Sequence, residues 1–572
     1  MLSLTLYSLG MNRNTESHFS ELPQVDIQRS IFDRSSSHKT SFNVGDVIPF
    51  FVDEVLPGDT FNVTTSCVVR LQTPLTPIMD NIYLDTYYFY VPNRILWTHW
   101  KEFMGENTSG AWIPQTEYTI PKMRPPEDGW NVGTIADYLG IPPGVHEETG
   151  KQLVLPSALP FRAYAMICDQ WFRDQNLSDP LDIYLGDAVT QGTNGTDPDM
   201  TNVPAGGYPF KAAKYHDLFS SSLPSPQKGV SVGLFPSNSY QSIGNIGSYY
   251  THYAPVVPLA NYTISSNVGM SLKIPGGSTS RYLSYDSSNY ALKMDQSASS
   301  SFRLYPDNLF ADLSGTGITI NELRQAFQLQ KFFEKNARAG TRYREILKEH
   351  FGVTSSDARM QIPEYLGGHR FPLSIHQVSN TSQGDNSFLG DLGAMSNTSD
   401  VHEDFTKSFE EHGYILGLCV VRYDHSYPQG VEKMWLRTGK LDFYFPVFAN
   451  LGEQMVFRNQ IYYQAEETSS TSFSPVWGYQ EAWSEYRYKP SRVSGEMRPG
   501  VDNSLATWHL SDYYNTIPYL SDRWIREDKS NVDRVLSVTS SVANQVFADF
   551  YVKNICTRPM PVYSIPGLID HH

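Results

Sequence analysis

Apolar and polar positions alternate with a period of two near both ends of the chain. FNVGDVIPFFVDEVLPGDTFNVTTSCVVRL (42–71) alternates in part, with a turn signal at Pro57-Gly58-Asp59. IYLDTYYFYVP (82–92) is Tyr-rich and closes on Pro92, so residues 41–93 read as strands. The same signal returns after residue 410, in YILGLCVVRYD (414–424), KLDFYFPVF (440–448) and DRVLSVTSSVANQVFADFYVKN (533–554). Between these ends the period changes. Residues 157–176 predict a helix with Ala163, Ile167 and Trp171 on one face. A second helix is predicted over 319–350, with a capping box at Thr319 and Glu322. Leu323, Ala326, Phe327 and Phe333 form its apolar stripe, and Tyr343, Ile346 and Leu347 continue it past Gly340, where it kinks or splits.

This layout predicts a mainly β protein: one domain over 41–572, built from distant segments (about 41–93 and 410–556). Loops and helices are inserted at 94–227 and 306–409; two-sheet jelly rolls accept such insertions. Residues 94–150, rich in Pro, Gly and Trp, read as a long ordered excursion. Ser, Gly, Asn and Tyr dominate 228–305, with few charges, which predicts an exposed functional insertion with short strands of its own. Residues 1–40 read as an extended arm and 557–572 as an extended tail.

Composition narrows the function. With 572 residues, 13 % of them aromatic, the chain is long enough for several domains and leans towards β structure and association. A net charge of −16 excludes general duplex binding through long-range attraction. Residues 12–40 carry four basic against four acidic side chains, so they form no basic arm. Cys67, Cys168, Cys419 and Cys556 lie far apart, which fits reduced thiols rather than a disulfide or zinc framework. The start, MLSLTLYSLGM, lacks a basic n-region and a cleavage site, so no signal peptide is expected. The longest apolar run, Tyr414–Val421, is far short of a bilayer span, so no membrane insertion is expected.

Candidate chemistry is sparse. Gly229-Val230-Ser231-Val232-Gly233 matches a nucleophile elbow, but no helix signal follows, so the match reads as accidental. His402, Glu403, Asp404, His412 and the terminal Asp570-His571-His572 fit no recognised zinc spacing. No catalytic residue, metal or cofactor is expected. The best basic feature is Lys331, Lys335, Arg338 and Arg342, whose spacing of four, three and four predicts a stripe on one helix face. Such a stripe neutralises phosphates or is simply a solvated face; Glu334 and Arg338 form an i, i+4 pair.

Several blocks carry a resemblance. RYREILKEHFGVTSSDARMQIPEYLGGHRFPLSIHQVSNTS (342–382) resembles the signature of the major capsid proteins of Microviridae, in the gokushovirus branch of small circular single-stranded DNA bacteriophages. LPFRAYAMICDQWFRDQNLSDP (159–180), KAAKYHDLFSSSLPSPQKG (211–229), SRVSGEMRP (491–499) and TRPMPVYSIPGLIDHH (557–572) are similar to further blocks of that family, in its order. SHFSELPQVDIQRSIFDRS and GDVIPFFVDEVLPGDTF, near the start, complete the set, which covers nearly all of the chain from residue 17. The resemblance implies an eight-stranded antiparallel jelly roll of viral capsid type, and about sixty copies in a T=1 icosahedral shell. It further implies an internal scaffolding protein, a circular single-stranded DNA genome inside, and assembly in the host bacterial cytoplasm into a virion. In that branch an insertion forms a threefold protrusion facing a host receptor; 228–305 matches it by position. Lys273, Pro275, Gly276, Gly277 and Arg281 stand there as host-contact candidates. Genome charge would be met by folded-surface patches, counterions or a separate small basic DNA-binding protein. The tail Arg558-Pro559-Met560-Pro561-Val562-Tyr563 cannot extend a sheet ladder and is expected to bridge to a neighbouring subunit. A rival reading is a glycan-binding or glycan-cleaving β-sandwich protein, since jelly rolls serve both uses. Cleavage would require two positioned carboxylates, and no such pair stands out.

Overall fold

The computed structural model describes residues 28–107, 117–148, 150–196, 200–229, 320–340, 342–383, 388–464 and 476–563, and the backbone of four short strands between 271 and 306. Two sheets hold the chain together. Their strands are β1 (Ser30–Asp33), β2 (Ser36–Phe42), β3 (Asp46–Val55), β4 (Thr60–Leu71) and β5 (Ile82–Pro92), then β6 (Glu364–Gly367), β7 (Arg370–Pro372), β8 (Thr398–Ser408), β9 (Gly413–Tyr423) and β10 (Val546–Arg558). In the first sheet, β1 and β2 lie end to end along β10, followed by β4 and β8. In the second, β6 and β7 lie end to end along β5, followed by β9 and β3. All of these pairings are antiparallel. With each end-to-end pair taken as one strand, the chain order is 1-8-3-6 in one sheet and 2-7-4-5 in the other. That is the eight-stranded jelly roll, with the chain crossing between sheets at almost every step.

Strand patterning explains which sheet is covered on both faces. In β4, Phe61, Val63, Thr65, Cys67, Val69 and Leu71 are buried while the residues between them are more open. The same alternation in β10 buries Val546, Ala548, Phe550, Val552, Asn554 and Cys556. One face of that sheet meets the core and the other does not. Strands β5 and β9 are buried almost throughout, because residues from the 93–211 excursion pack on their outer side. Helix α1 (Leu159–Ile167) leads this cover, with Phe161, Ala163, Tyr164 and Ile167 inside. Its last turn loosens into a π-helix over Cys168–Phe172, which leaves Trp171 half-buried. The inter-sheet core joins Phe50 to Phe550, stacked with ring centroids 4.5 Å apart. Pro49 has no N–H to give β9, and the β3–β9 register slips beside it, between Gly417 and Leu418.

One expected strand is absent, and another starts late. Residues 440–448 form 3-10 turns at Lys440–Asp442 and Pro446–Phe448, with Phe443, Tyr444 and Phe445 left partly exposed. The early part of 533–554 is short helix and turn, and pairing begins only at Val546. The long helix splits into α2 (Ile320–Ala339) and α3 (Tyr343–Phe351), broken at Gly340 with φ +104°. Its proposed capping pair, Thr319 and Glu322, lies outside the described side chains.

By internal contacts the chain divides into two units: Met1–Pro226 with Asn336–His572, and Gln227–Lys335. The second unit contains a four-stranded antiparallel sheet in the order Ala291–Met294, Ser280–Asp286, Ser271–Lys273, Tyr305–Pro306.

Candidate assembly and genome-contact surfaces

The four basic residues do not share one helix. Lys331, Lys335 and Arg338 belong to α2, and Lys331 is exposed. Arg338 forms an ion pair with Glu453, whose side chain is buried. Arg342 lies beyond the break, just before α3, and points inward. Its Nη2 donates to the carbonyl oxygens of Asp169 (2.6 Å) and Arg173 (3.4 Å), and its Nη1 stands 3.7 Å from Glu345. The spacing of four, three and four puts these residues on one face only if the helix is unbroken, and the helix does split at Gly340. The left-handed backbone at that residue rotates Arg342 off the face, where it ties the π-turn after α1 to α3.

In the insertion, Lys273 ends one strand opposite Ser280 and Tyr305, and Arg281 pairs with Leu272. Pro275, Gly276 and Gly277 fall in the 274–279 connection, outside the described residues.

The tail starts later than expected. Arg558 is the last residue of β10, nearly buried, with Nε donating to Asp59 (3.0 Å) and Nη2 to the Glu54 carbonyl (2.6 Å). It is a clamp within its own subunit. Met560, Val562 and Tyr563 are exposed, Tyr563 at 80 %.

A broad apolar surface was not foreseen as such. Met434, Trp435, Leu441, Phe443, Val447 and Leu451 are all exposed, Trp435 at 73 % and Val447 at 81 %. All six fall within residues 434–451, and soluble monomers seldom leave a contiguous surface of such side chains in water. A cleft of about 530 Å³ opens beside them, lined by Glu432, Trp435, Arg437, Tyr486 and Arg492 among others. Sequence showed the aromatic run but read its residues as strand-forming.

Nor did the sequence show the buried charge cluster of Lys214, His425, Asp512 and Glu527, because its members are scattered over more than 300 residues. Lys214 Nζ donates to Asp512 Oδ2 (2.8 Å), and the His425 ring nitrogens stand 2.7 Å from Asp512 and 3.0 Å from Glu527. Burial opposes charge on His425, but the two carboxylates outweigh it and raise its pKa to about 9. Of the His and Asp residues singled out by sequence, His412 packs its ring against Trp100, and Asp570–His572 lie outside the described residues.

These features describe a subunit that needs neighbours, and comparison with known proteins agrees. Residues 20–568 match the family described as capsid protein (F protein). The chain belongs to this capsid protein family. It is 37 % identical to the capsid protein VP1 of Chlamydia phage 1, over 97 % of this chain and 98 % of that one. It is 39 % identical to the capsid protein VP1 of Spiroplasma virus 4, over 93 % and 94 %. A third such protein, from Bdellovibrio phage phiMH2K, is 37 % identical over 98 % and 99 %. As a member of this family the chain is a structural capsid protein rather than an enzyme, and its place is the virion. The glycan-binding alternative finds no support among these relatives. Among the described residues no helix is long and apolar enough to cross a membrane.

Proposed function

We propose that this capsid protein closes into a T=1 icosahedral shell of about sixty copies around a circular single-stranded DNA genome. The observation that carries the reading is the exposed apolar surface over 434–451 on a fold built for shells. Burial against a second copy removes that surface from water, at roughly 25 cal/mol per Å². The insertion at 228–305 faces the host receptor, through Lys273, Pro275–Gly277 and Arg281. Lys331, exposed on α2, meets genome phosphates; Lys335, Arg338 and Arg342, each engaged with other groups, contribute less. An internal scaffolding protein assists assembly in the host cytoplasm, and the exposed tail from Met560 onward reaches a neighbouring subunit.

The test is particle formation, read by negative-stain electron microscopy and light-scattering mass, for the wild type and for Trp435→Glu/Val447→Asp. Closed particles are expected for the wild type. The variant is expected to stay folded, with an unchanged melting curve as free chain, and to form none. Normal particles from the variant would refute this interface.

A further inference from the structure

Two sheets meet at an edge where β8 of the first approaches the β6–β7 connection of the second. Three side chains converge there: His369 from the connection, and Asp400 and His402 from β8. One ligand atom of each lies within 4.8 Å of the others. Asp400 Oδ2 is 2.8 Å from His402 Nδ1 and 3.9 Å from His369 Nε2, and the two imidazole rings stand 4.5 Å apart. Tetrahedral ligands with bonds of about 2.0–2.1 Å are separated by roughly 3.3 Å. The observed spacings bracket that value, and the half-exposed His369 side chain has room to adjust.

The backbone is shaped for this meeting. A Cβ on Gly367 would stand 2.3 Å from the Asp404 carbonyl oxygen, so only glycine lets β6 come this close to β8. A Cβ on Gly368 would stand 2.0 Å from the Thr86 carbonyl oxygen, at φ +156°. His369 is then fastened to β5, with the Thr86 N–H donating to its carbonyl (2.8 Å) and its own N–H to Thr86 Oγ1 (3.1 Å). On the other side, β8 bulges between Glu403 and Phe405 and turns the Asp404 carboxylate fully inward. His402 Nε2 lies 2.9 Å from Asp404 Oδ1, and Asp404 Oδ2 accepts from Thr65 Oγ1 (2.5 Å), which touches Tyr88 Oη (2.7 Å). A carboxylate behind the far nitrogen of a histidine is the arrangement that orients a metal ligand.

We propose that His369 Nε2, His402 Nδ1 and Asp400 bind one divalent transition-metal ion of the zinc class, with water at the fourth position, and that the ion staples the two sheets at this edge. Two imidazoles select such an ion over Ca²⁺ or Mg²⁺, which take oxygen ligands. Sequence spacing hid the site because His369 and His402 lie on different sheets.

The test uses the full-length purified chain, stripped with a chelator and then given ZnCl₂ or CoCl₂ alone. Retained metal is counted after gel filtration, and the visible spectrum of Co²⁺ reports tetrahedral geometry. One ion per chain is expected, with a rise in melting temperature on adding Zn²⁺. His369→Ala, whose side chain is half-exposed and dispensable for the core, is expected to lose both signals, as is His402→Ala. His376→Ala, in the strand Ile375–Ser379 that pairs with Leu392–Ser396, should keep both. Asp404→Asn should weaken binding by about 10- to 100-fold. No retained metal in the wild type, or as much in His369→Ala as in the wild type, would overturn the proposal.

Discussion

The cluster around His425 makes stability depend on pH in a defined window. Lys214 and a protonated His425 together balance Asp512 and Glu527, and all four side chains are buried. The charge on Asp512 is opposed by burial but favoured by His425 and Lys214, which hold its pKa below the usual carboxylate range. Deprotonating His425 leaves two buried carboxylates facing one ammonium. Its folded pKa, about 9, exceeds the ordinary 6.5. The contribution is therefore complete below pH 6.5 and is lost as pH rises to about 9. At about 1.4 kcal/mol per pH unit, the loss is about 3 kcal/mol. The perturbation is His425→Gln, which keeps a polar side chain of similar reach but carries no proton to lose. Urea unfolding of the unassembled chain, followed by tryptophan fluorescence, reads the effect. Trp524 is a local reporter, since Lys214 lies over its ring at 4.3 Å and its indole N–H donates to Tyr514. Between pH 6.5 and 9 the wild-type midpoint should fall steadily. The variant should start lower and stay nearly flat. Parallel decline of both proteins would refute a protonated His425 at the centre of the cluster.

Other perturbations test the fold and the surfaces. Lys211 forms a buried ion pair with Asp46, so Lys211→Met should cost about 3–5 kcal/mol, and Lys211→Met/Asp46→Asn should recover part of it in the same urea assay. Gly368→Ala forces a Cβ onto the Thr86 carbonyl at positive φ and should cost at least about 2 kcal/mol, seen as a lowered melting temperature. A chain ended at Arg558 keeps the clamp to Asp59 but loses the exposed tail. Its particles should survive heating less well than the wild type's; equal survival would show that the tail bridges nothing.

The β core was legible because its strands are long and patterned, and the resemblance supplied the eight-stranded jelly roll. The alternation in β4 and β10 and the continuous apolar run in β9 each reflect how many faces of a sheet are covered. What misled was aromatic content without burial. Phe443, Tyr444 and Phe445 have strand propensity, yet in this subunit they join no strand and are left partly exposed, Tyr444 against Trp483 and Phe443 beneath Arg437. Propensity records a preference for a half-buried surface and does not say whose surface it is. The basic stripe failed at one residue, Gly340, where a single positive φ ended the helical spacing. The charge cluster and the His369–His402 meeting left no local signal, since crossing between sheets brings distant segments together.

The placement of β10 also decides when a subunit can exist. Residues 546–558 fill the gap between β1–β2 and β4, so the first strands made have no sheet to join until nearly the last have been made. At typical synthesis rates of 5–20 residues per second, the edge of β4 waits roughly 25 to 100 s for its partner. A ribosome-bound or prematurely ended chain therefore carries an open sheet edge and cannot present the closed sandwich. A polypeptide that stops before residue 546 lacks the strand that joins β1–β2 to β4, so completion of the sheet is tied to completion of the chain through residue 558.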